Sequence, residues 1–376
     1  MTERQPLVTR QKSESDEEMR PLLSICVPTY NRAAWLRASL AYSVPQVKQA
    51  GSLVEIIVSD NASTDDTAEV VTEAQTLGPI RYSRNETNIG ANPNMLKCVM
   101  ELARGEYIWV MGDDDFLLPG AVDAAVAALT EHPVPVVFLN HRNLTVQEKP
   151  EGPMAQEKLL RGRLMSEDVE SRFVPHVRDL IRIGQTRFTP LYTLIFQRDH
   201  AKAAHALGAD QAMWSSLESV IPHALYMVEV LADQPSYYIG PPLIVASSDV
   251  HWTKYLPLYQ MVFLPELYER MERNGADGDE VQRQRLRTLE CLHDDDSVLR
   301  MFLCKDSEIR RHFRLIQFVQ RYSRSGAERR VLASCFGNVL SKRIHGFLWD
   351  FRPTRFVLHR LYVLRQLRNQ RVASPL

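Results

Sequence analysis

Tyr107-Ile108-Trp109-Val110-Met111-Gly112-Asp113-Asp114-Asp115 sets three consecutive carboxylates one glycine beyond a short apolar run. The run has the composition of a buried strand, so the acidic cluster lies where that strand surfaces. Asp side chains are short, and three in succession repel one another strongly in a partly dry site. A divalent cation compensates such a cluster, because Mg2+ and Mn2+ take carboxylate oxygens and keep coordination positions open for substrate phosphates. A solvated acidic turn that caps the next helix is the other reading of an isolated Asp triplet. The residues upstream decide between them.

Two more strand-to-loop junctions precede the cluster. Leu23-Ser24-Ile25-Cys26-Val27 runs into Pro28-Thr29-Tyr30-Asn31-Arg32 and then an apolar-periodic helix through Trp35, Leu36 and Leu40. Val54-Glu55-Ile56-Ile57-Val58 runs into Ser59-Asp60-Asn61-Ala62-Ser63-Thr64-Asp65-Asp66. Short β-branched strands alternating with longer helical stretches imply βαβ units and a mostly parallel sheet. In such sheets ligands bind beyond the carboxyl ends of the strands, where all three polar clusters stand.

The pattern predicts strands near 23–27, 54–59, 80–83, 107–111 and 136–139, with helices near 33–43, 65–76, 92–103 and 119–130. Ser63 and Asp66 have the spacing of a capping box with Asp in place of Glu. Residues 140–166 read as an irregular loop, 168–183 and 200–232 as helical, and 236–247 as a strand broken by Pro241-Pro242. The chain from about Tyr255 onward is helix-rich. His293-Asp294-Asp295-Asp296 lacks a preceding strand and reads as a solvated helix start. Residues 1–20 are polar and acidic and read as a disordered tail.

The 376 residues and 45% hydrophobic content suffice for one large domain with an extension. A net charge of −1 gives no reason to expect a nucleic-acid partner. The five cysteines are odd in number and contain no C-x-x-C pair, so neither a disulfide framework nor a structural zinc site is implied and a cytoplasmic location is expected. The N-terminus lacks the apolar core of a signal peptide, and no apolar stretch approaches the roughly 18 to 20 residues that span a bilayer.

Ser24–Arg32, Val58–Thr67, Asn85-Glu86-Thr87-Asn88-Ile89-Gly90 and Gly112–Asp115 together, in this order and over about 120 residues, resemble the nucleotide-binding half of family 2 glycosyltransferases with the GT-A fold. They resemble the bacterial members that build O-antigens and other surface polysaccharides, including abequosyltransferase-like proteins. The resemblance implies an α/β, Rossmann-like, mostly parallel sheet flanked by helices, with a helix-rich C-terminal extension. It divides the chain into a GT-A domain over 21–255, with a nucleotide-sugar half at 21–140 and an acceptor half at 141–255, and a helical region over 256–376. It further implies an inverting hexosyl- or deoxyhexosyltransferase that takes a nucleotide-diphosphate sugar and Mg2+ or Mn2+, and serves a glycan or polyprenyl-linked acceptor. A catalytically silent nucleotide-sugar-binding or assembly subunit is the alternative, because Gly112 and Ser219 depart from the family's acidic pattern.

Carried over residue by residue, Pro28, Thr29, Tyr30 and Arg32 match positions around the nucleobase and diphosphate, and Asp60 matches the carboxylate that accepts a hydrogen bond from the base. Asn88-Ile89-Gly90 reads as a tight turn, in which Asn88 is either a plain turn residue or a further nucleotide contact. Gly112 replaces the first Asp of the family's acidic pattern. The resemblance then assigns Asp114 as metal ligand, Asp113 to the ribose, and Asp115 to a second or supporting ligand position. An inverting reaction needs a general base opposite the leaving group. Glu218 matches that position in Met213-Trp214-Ser215-Ser216-Leu217-Glu218-Ser219, with Asp210 in reserve. His251 stands where some relatives return a His to the metal. The basic and aromatic stretch from Lys342 to Arg371 suits either peripheral contact with the inner face of an anionic membrane or an ordinary terminal helix docked on the core.

Overall fold

The computed structural model describes residues 20–146, 150–181, 189–247, 255–294, 297–298, 301, 304 and 306–337. The predicted tail, His251, Asp295, Asp296 and the basic C-terminal stretch lie outside these residues, as does the membrane reading built on that stretch. Among the described residues, no helix is long and apolar enough to cross a membrane.

The chain divides into two compact units, residues 1–250 and 251–376. The first is built on one ten-stranded sheet of mixed direction. Its strands are β1 (Leu23–Thr29), β2 (Val54–Asp60), β3 (Arg81–Arg84), β4 (Tyr107–Val110), β5 (Phe116–Leu117), β6 (Val136–Leu144), β7 (Arg163–Leu164), β8 (Arg172–Val174), β9 (Leu194–Gln197) and β10 (Ser236–Ser247). They follow the spatial order β3-β2-β1-β4-β9-β6-β10-β5, with β7 against β6 and β8 against β10. Strands β3, β2, β1 and β4 run parallel. Their central members are apolar on both faces because helices cover both sides.

Helix α1 (Ala33–Ala50) buries Trp35, Leu36, Leu40, Val44 and Val47, a stripe at helical spacing. The sequence places its end before Pro45. Buried Val44 and Val47 instead carry the helix through the proline to Ala50, and their packing outweighs the missing backbone hydrogen bond. Helices α2 (Thr67–Ala74), α3 (Ala91–Lys97) and α4 (Ala121–Glu131) follow as expected, and α3 continues as a π-turn over Cys98–Leu102.

Five features of the second half of this unit differ from the sequence reading. β9 inserts antiparallel between β4 and β6, where the sequence shows only the four-residue run Leu194–Gln197. Residues 168–183 are not a helix: over the described part, strand β8 pairs with β10 and a short 3-10 turn covers Val177–Leu180. The stretch 140–166 carries the end of β6, α5 (Gln156–Leu160) and β7 rather than a plain loop. The long 200–232 helix is divided into α6 (Arg198–Ala206), α7 (Leu217–Val220) and α8 (Pro222–Glu229). Gly208 and Trp214, at φ 64° and 68°, turn the backbone between α6 and α7. Pro241-Pro242 does not end β10 but shifts its register against β6 between Ile239 and Ile244.

The second unit is mostly helical over its described residues. It includes α9 (Leu264–Arg273), α10 (Gly278–Asp294), α11 (Ser307–His312) and α12 (Leu315–Arg321). Its core holds Leu267, Tyr268, Leu289, Phe318 and Tyr322 around a fully buried ion pair, Arg285 Nε to Glu328 Oε1 at 3.1 Å. His293 and Asp294 are the last residues of α10, and the rest of the His-Asp run, Asp295 and Asp296, lies outside the described residues.

Candidate active site at the carboxyl ends of the parallel strands

Strand register brings the motifs together. Cys26 pairs with Val110, so three residues further along each strand Thr29 reaches Asp113, and its hydroxyl donates to Asp113 Oδ2 at 2.7 Å. Thr29 also pairs with Asp60 across β1 and β2. Three motifs far apart in sequence therefore end on one edge.

Arg32 links the acidic residues. Its Nε lies 2.8 Å from Asp113 Oδ1 and its Nη2 lies 2.5 Å from Asp114 Oδ2, while its guanidinium packs 5.6 Å from the Trp35 ring centroid. Burial first, and the neighbouring Asp114 charge after it, push the Asp113 carboxyl up to about 7 against the opposing pull of Arg32. Burial and then Asp114 also push Asp115 well above the usual carboxylate range. Asp115 turns inward: its Oδ2 accepts from the Gly112 N–H at 2.7 Å, and its carbonyl accepts from Ser39 Oγ at 2.6 Å. Asp114 is the more exposed of the pair held by Arg32.

The glycine at 112 has a physical reason. A Cβ there would lie 2.7 Å from Asp114 Oδ1 and 3.0 Å from Asp115 Oδ2, so both carboxylates fold over the space that a side chain would fill.

The loops after β1 and β2 are pinned to each other. Asn31, at φ 53°, donates its N–H to Ser63 Oγ and accepts at Oδ1 from the Thr64 N–H. Ser63 thus serves Asn31 rather than a capping box, and Asp66 at the N-cap of α2 makes no side-chain cap bond. Asp65 accepts from the Ala33 N–H and from Thr67, tying the start of α1 to α2. Tyr30 is 42% exposed, as a residue that packs on a base would be. Asp60 is fully buried: its Oδ1 accepts from the Ser63 N–H, and its Oδ2 from Tyr82 at 2.7 Å with Arg84 Nε at 3.3 Å. A base reaches Asp60 only if Tyr82 or Arg84 moves aside.

Asn88 folds its own turn, its Oδ1 accepting from the Gly90 N–H and from Asn61 Nδ2. It belongs to a network that the sequence reading missed. Asn61 also accepts from Asn85 and Ile89, and Asn94 joins Asn85 to Ser59. Asn61, Asn85, Asn88 and Asn94 are the trace of it in the sequence, since an amide side chain can both donate and accept.

Glu218 is half-buried in the first turn of α7 and lines a small recess of about 20 Å3, partly open to solvent, with Asn92, Leu96, His205, Gly208 and Pro222. Ser216 caps α7 through a reciprocal pairing with Ser219, which explains the serine in place of a second acid. Asp210 is exposed on the preceding loop.

Behind the recess, His205 and His223 stack with ring centroids 6.4 Å apart. His223 Nε2–H donates to the Thr189 carbonyl at 2.6 Å. Burial, and to a lesser extent His205, lower His223 to about 4. The folded pKa lies below the unfolded value near 6.5, so the unfolded state binds the extra proton. Stability from this group is complete above about pH 6.5 and is lost as pH falls toward 4, by up to about 3 kcal/mol. His223→Gln retains a donor but does not titrate. Urea unfolding at pH 7 and pH 4 is expected to show a smaller acid loss in that variant than in the parent, and equal losses would contradict the assignment.

Residues 24–177 match the family model described as Glycosyl transferase family 2. The abequosyltransferase RfbV of Salmonella typhimurium is 42% identical over 98 residues, which is 26% of this chain and 29% of that protein. A GalNAc(5)-diNAcBac-PP-undecaprenol beta-1,3-glucosyltransferase of Campylobacter jejuni is 37% identical over 113 residues, 30% of this chain and 35% of that protein. The matched stretch therefore covers about a third of these relatives' lengths. The crystal structure of S. aureus TarS 1–349 superposes with a TM-score of 0.50 at 16% identity, over 80% of each chain, and shares the fold. The architecture is thus GT-A-like: a curled mixed sheet with flanking helices and a helical C-terminal region.

Proposed function

We propose, from the premise that residues 24–177 are a family 2 glycosyltransferase domain, that this protein is an inverting glycosyltransferase of surface-polysaccharide synthesis. It would move a hexosyl or deoxyhexosyl group from a nucleotide-diphosphate sugar to a glycan or polyprenyl-linked acceptor. The observation that carries the reading is the meeting of Thr29, Arg32, Asp113 and Asp114 at one edge of the sheet.

The carboxylate oxygens are of the kind a divalent cation takes, although among the described residues no three such ligands are gathered around one point. The set consists of hard carboxylate oxygens, and the repulsion from Asp114 at Asp113 and Asp115 would be relieved by a cation, whereas burial, the larger cause of their raised proton affinity, gives no such preference. Arg32 already stands between two of the carboxylates as a single positive charge. Asp114 would hold Mg2+ or Mn2+, with Asp115 in support, and the bound ion would neutralise charge on the departing diphosphate.

The protein's own groups supply the remainder. Asp113, held by Thr29 and Arg32, faces the ribose. Tyr30 and Pro28 pack on the base, and Asp60 keeps Tyr82 and Arg84 at its rim. Asn88 shapes the turn beside the nucleotide. Glu218 takes the proton from the acceptor hydroxyl. The silent-subunit alternative draws on the same Arg32 bridge, which leaves the acidic residues partly neutralised without metal, and a transfer assay separates the two.

A thermal-shift screen of UDP-, GDP-, CDP- and dTDP-sugars with and without Mn2+ tests the donor class. A ligand at a hundred times its Kd stabilises the native state by about 2.7 kcal/mol. One nucleotide series is expected to raise Tm, and more so with Mn2+. No shift with any of them would reject nucleotide-sugar binding.

A further inference from the structure

We infer that Gly208 and Asn92 are positioning residues that hold Glu218 from two sides and set where its carboxylate stands. The inference rests on the reading of Glu218 as the base.

Gly208 adopts φ 64°, and a Cβ built on it would lie 2.6 Å from the carbonyl carbon of Glu218, 2.7 Å from its oxygen and 2.8 Å from the Ser219 nitrogen. All three are backbone atoms with no rotamer to give way. The turn after α6 therefore lies directly on the Glu218–Ser219 peptide, at a distance that only glycine permits. On the other side, Asn92 in α3 directs its Nδ2 to Met213 Sδ at 3.1 Å and to the Ser219 carbonyl at 3.5 Å.

Asn92 stands four residues after Asn88, so this contact ties the base's segment to the helix that issues from the nucleotide-side turn. The Ser216–Ser219 cap fixes the start of α7 locally. It cannot fix where α7 stands relative to α3 or to the turn after α6; Asn92 does the first and Gly208 the second.

Restoring ordinary contact around an added Cβ requires the Glu218 peptide to shift by about 1 Å, and a misplacement of that size costs on the order of a hundredfold in rate. Gly208→Ala is accordingly expected to lower kcat by about ten- to a hundredfold, with the donor KM and the nucleotide-induced thermal shift unchanged. Because Gly208 acts through Glu218, the Gly208→Ala, Glu218→Gln double variant is expected to be no slower than Glu218→Gln alone.

Parental kcat in Gly208→Ala, or a double variant slowed by the full product of both factors, would overturn the inference. If Gly208→Ala does not fold, Asn92→Ala decides: kcat reduced at least about threefold at unchanged donor KM supports the clamp, and unchanged kcat rejects it. A Glu218→Gln variant at the parental rate would sink the assignment of the base itself, an outcome distinct from all of these.

Discussion

Glu218→Gln is expected to bind donor nucleotide as the parent does, to melt at nearly the same temperature, and to transfer sugar at least about a hundredfold more slowly. A general base contributes typically 10²- to 10⁴-fold to rate and little to donor affinity, which gives the scale of the loss. The amide retains the size and hydrogen bonding of the carboxylate but cannot accept the acceptor's proton. α7 depends on the Ser216–Ser219 cap and the Gly208 contact rather than on the charge of Glu218, so the fold has no reason to weaken. Single-turnover transfer beside nucleotide titration and thermal melting makes the test. Transfer within a few-fold of the parent would move the search to Asp210, and a large fall in melting temperature would point to a structural role.

Asp114→Ala is expected to reduce Mn2+-dependent nucleotide binding by at least about a hundredfold, since a metal's stabilisation of diphosphate charge is worth several kcal/mol and Asp114 is its assigned holder. The fold should tolerate the change. Removing Asp114 takes away one source of repulsion at both Asp113 and Asp115, and Arg32 keeps its contact with Asp113. Isothermal titration of nucleotide with and without Mn2+ measures the effect. Metal-dependent binding equal to the parent's would remove Asp114 from the site, and a markedly lower Tm would mean that the Arg32 bridge is chiefly structural.

The roles that remain proposals divide by how directly a residue's surroundings reflect its sequence. Thr29, Arg32, Asp113 and Asp114 are expected together from their motifs, and they meet because the registers of β1 with β2 and β4 leave the three loops on one edge. Asp60 is different. Its motif marks it as the carboxylate that accepts a hydrogen bond from the base, whereas Tyr82 and Arg84 on β3 cover it. That covering depends on Val58 pairing with Tyr82 and Asp60 with Arg84, a register that no residue near Asp60 encodes. The asparagine network is of the same kind, since each member is an ordinary turn residue until the chain closes around it.

By itself the sequence determined the parallel core strands β1, β2 and β4 and the polar loops at their ends. Each of these strands is a short apolar run, and each loop begins where that run stops, so local burial tendency suffices. Tertiary structure alone decided that Leu194–Gln197 is a strand, because a run of only three apolar residues and a glutamine gains that identity from hydrogen bonds to β4 and β6 on either side. It also decided that 168–183 pairs with β10 in part rather than coiling, and that Glu218 is held by Gly208 and Asn92. These outcomes rest on atoms brought into contact across roughly ten to more than a hundred residues of chain, where neither hydrophobic period nor capping chemistry reaches.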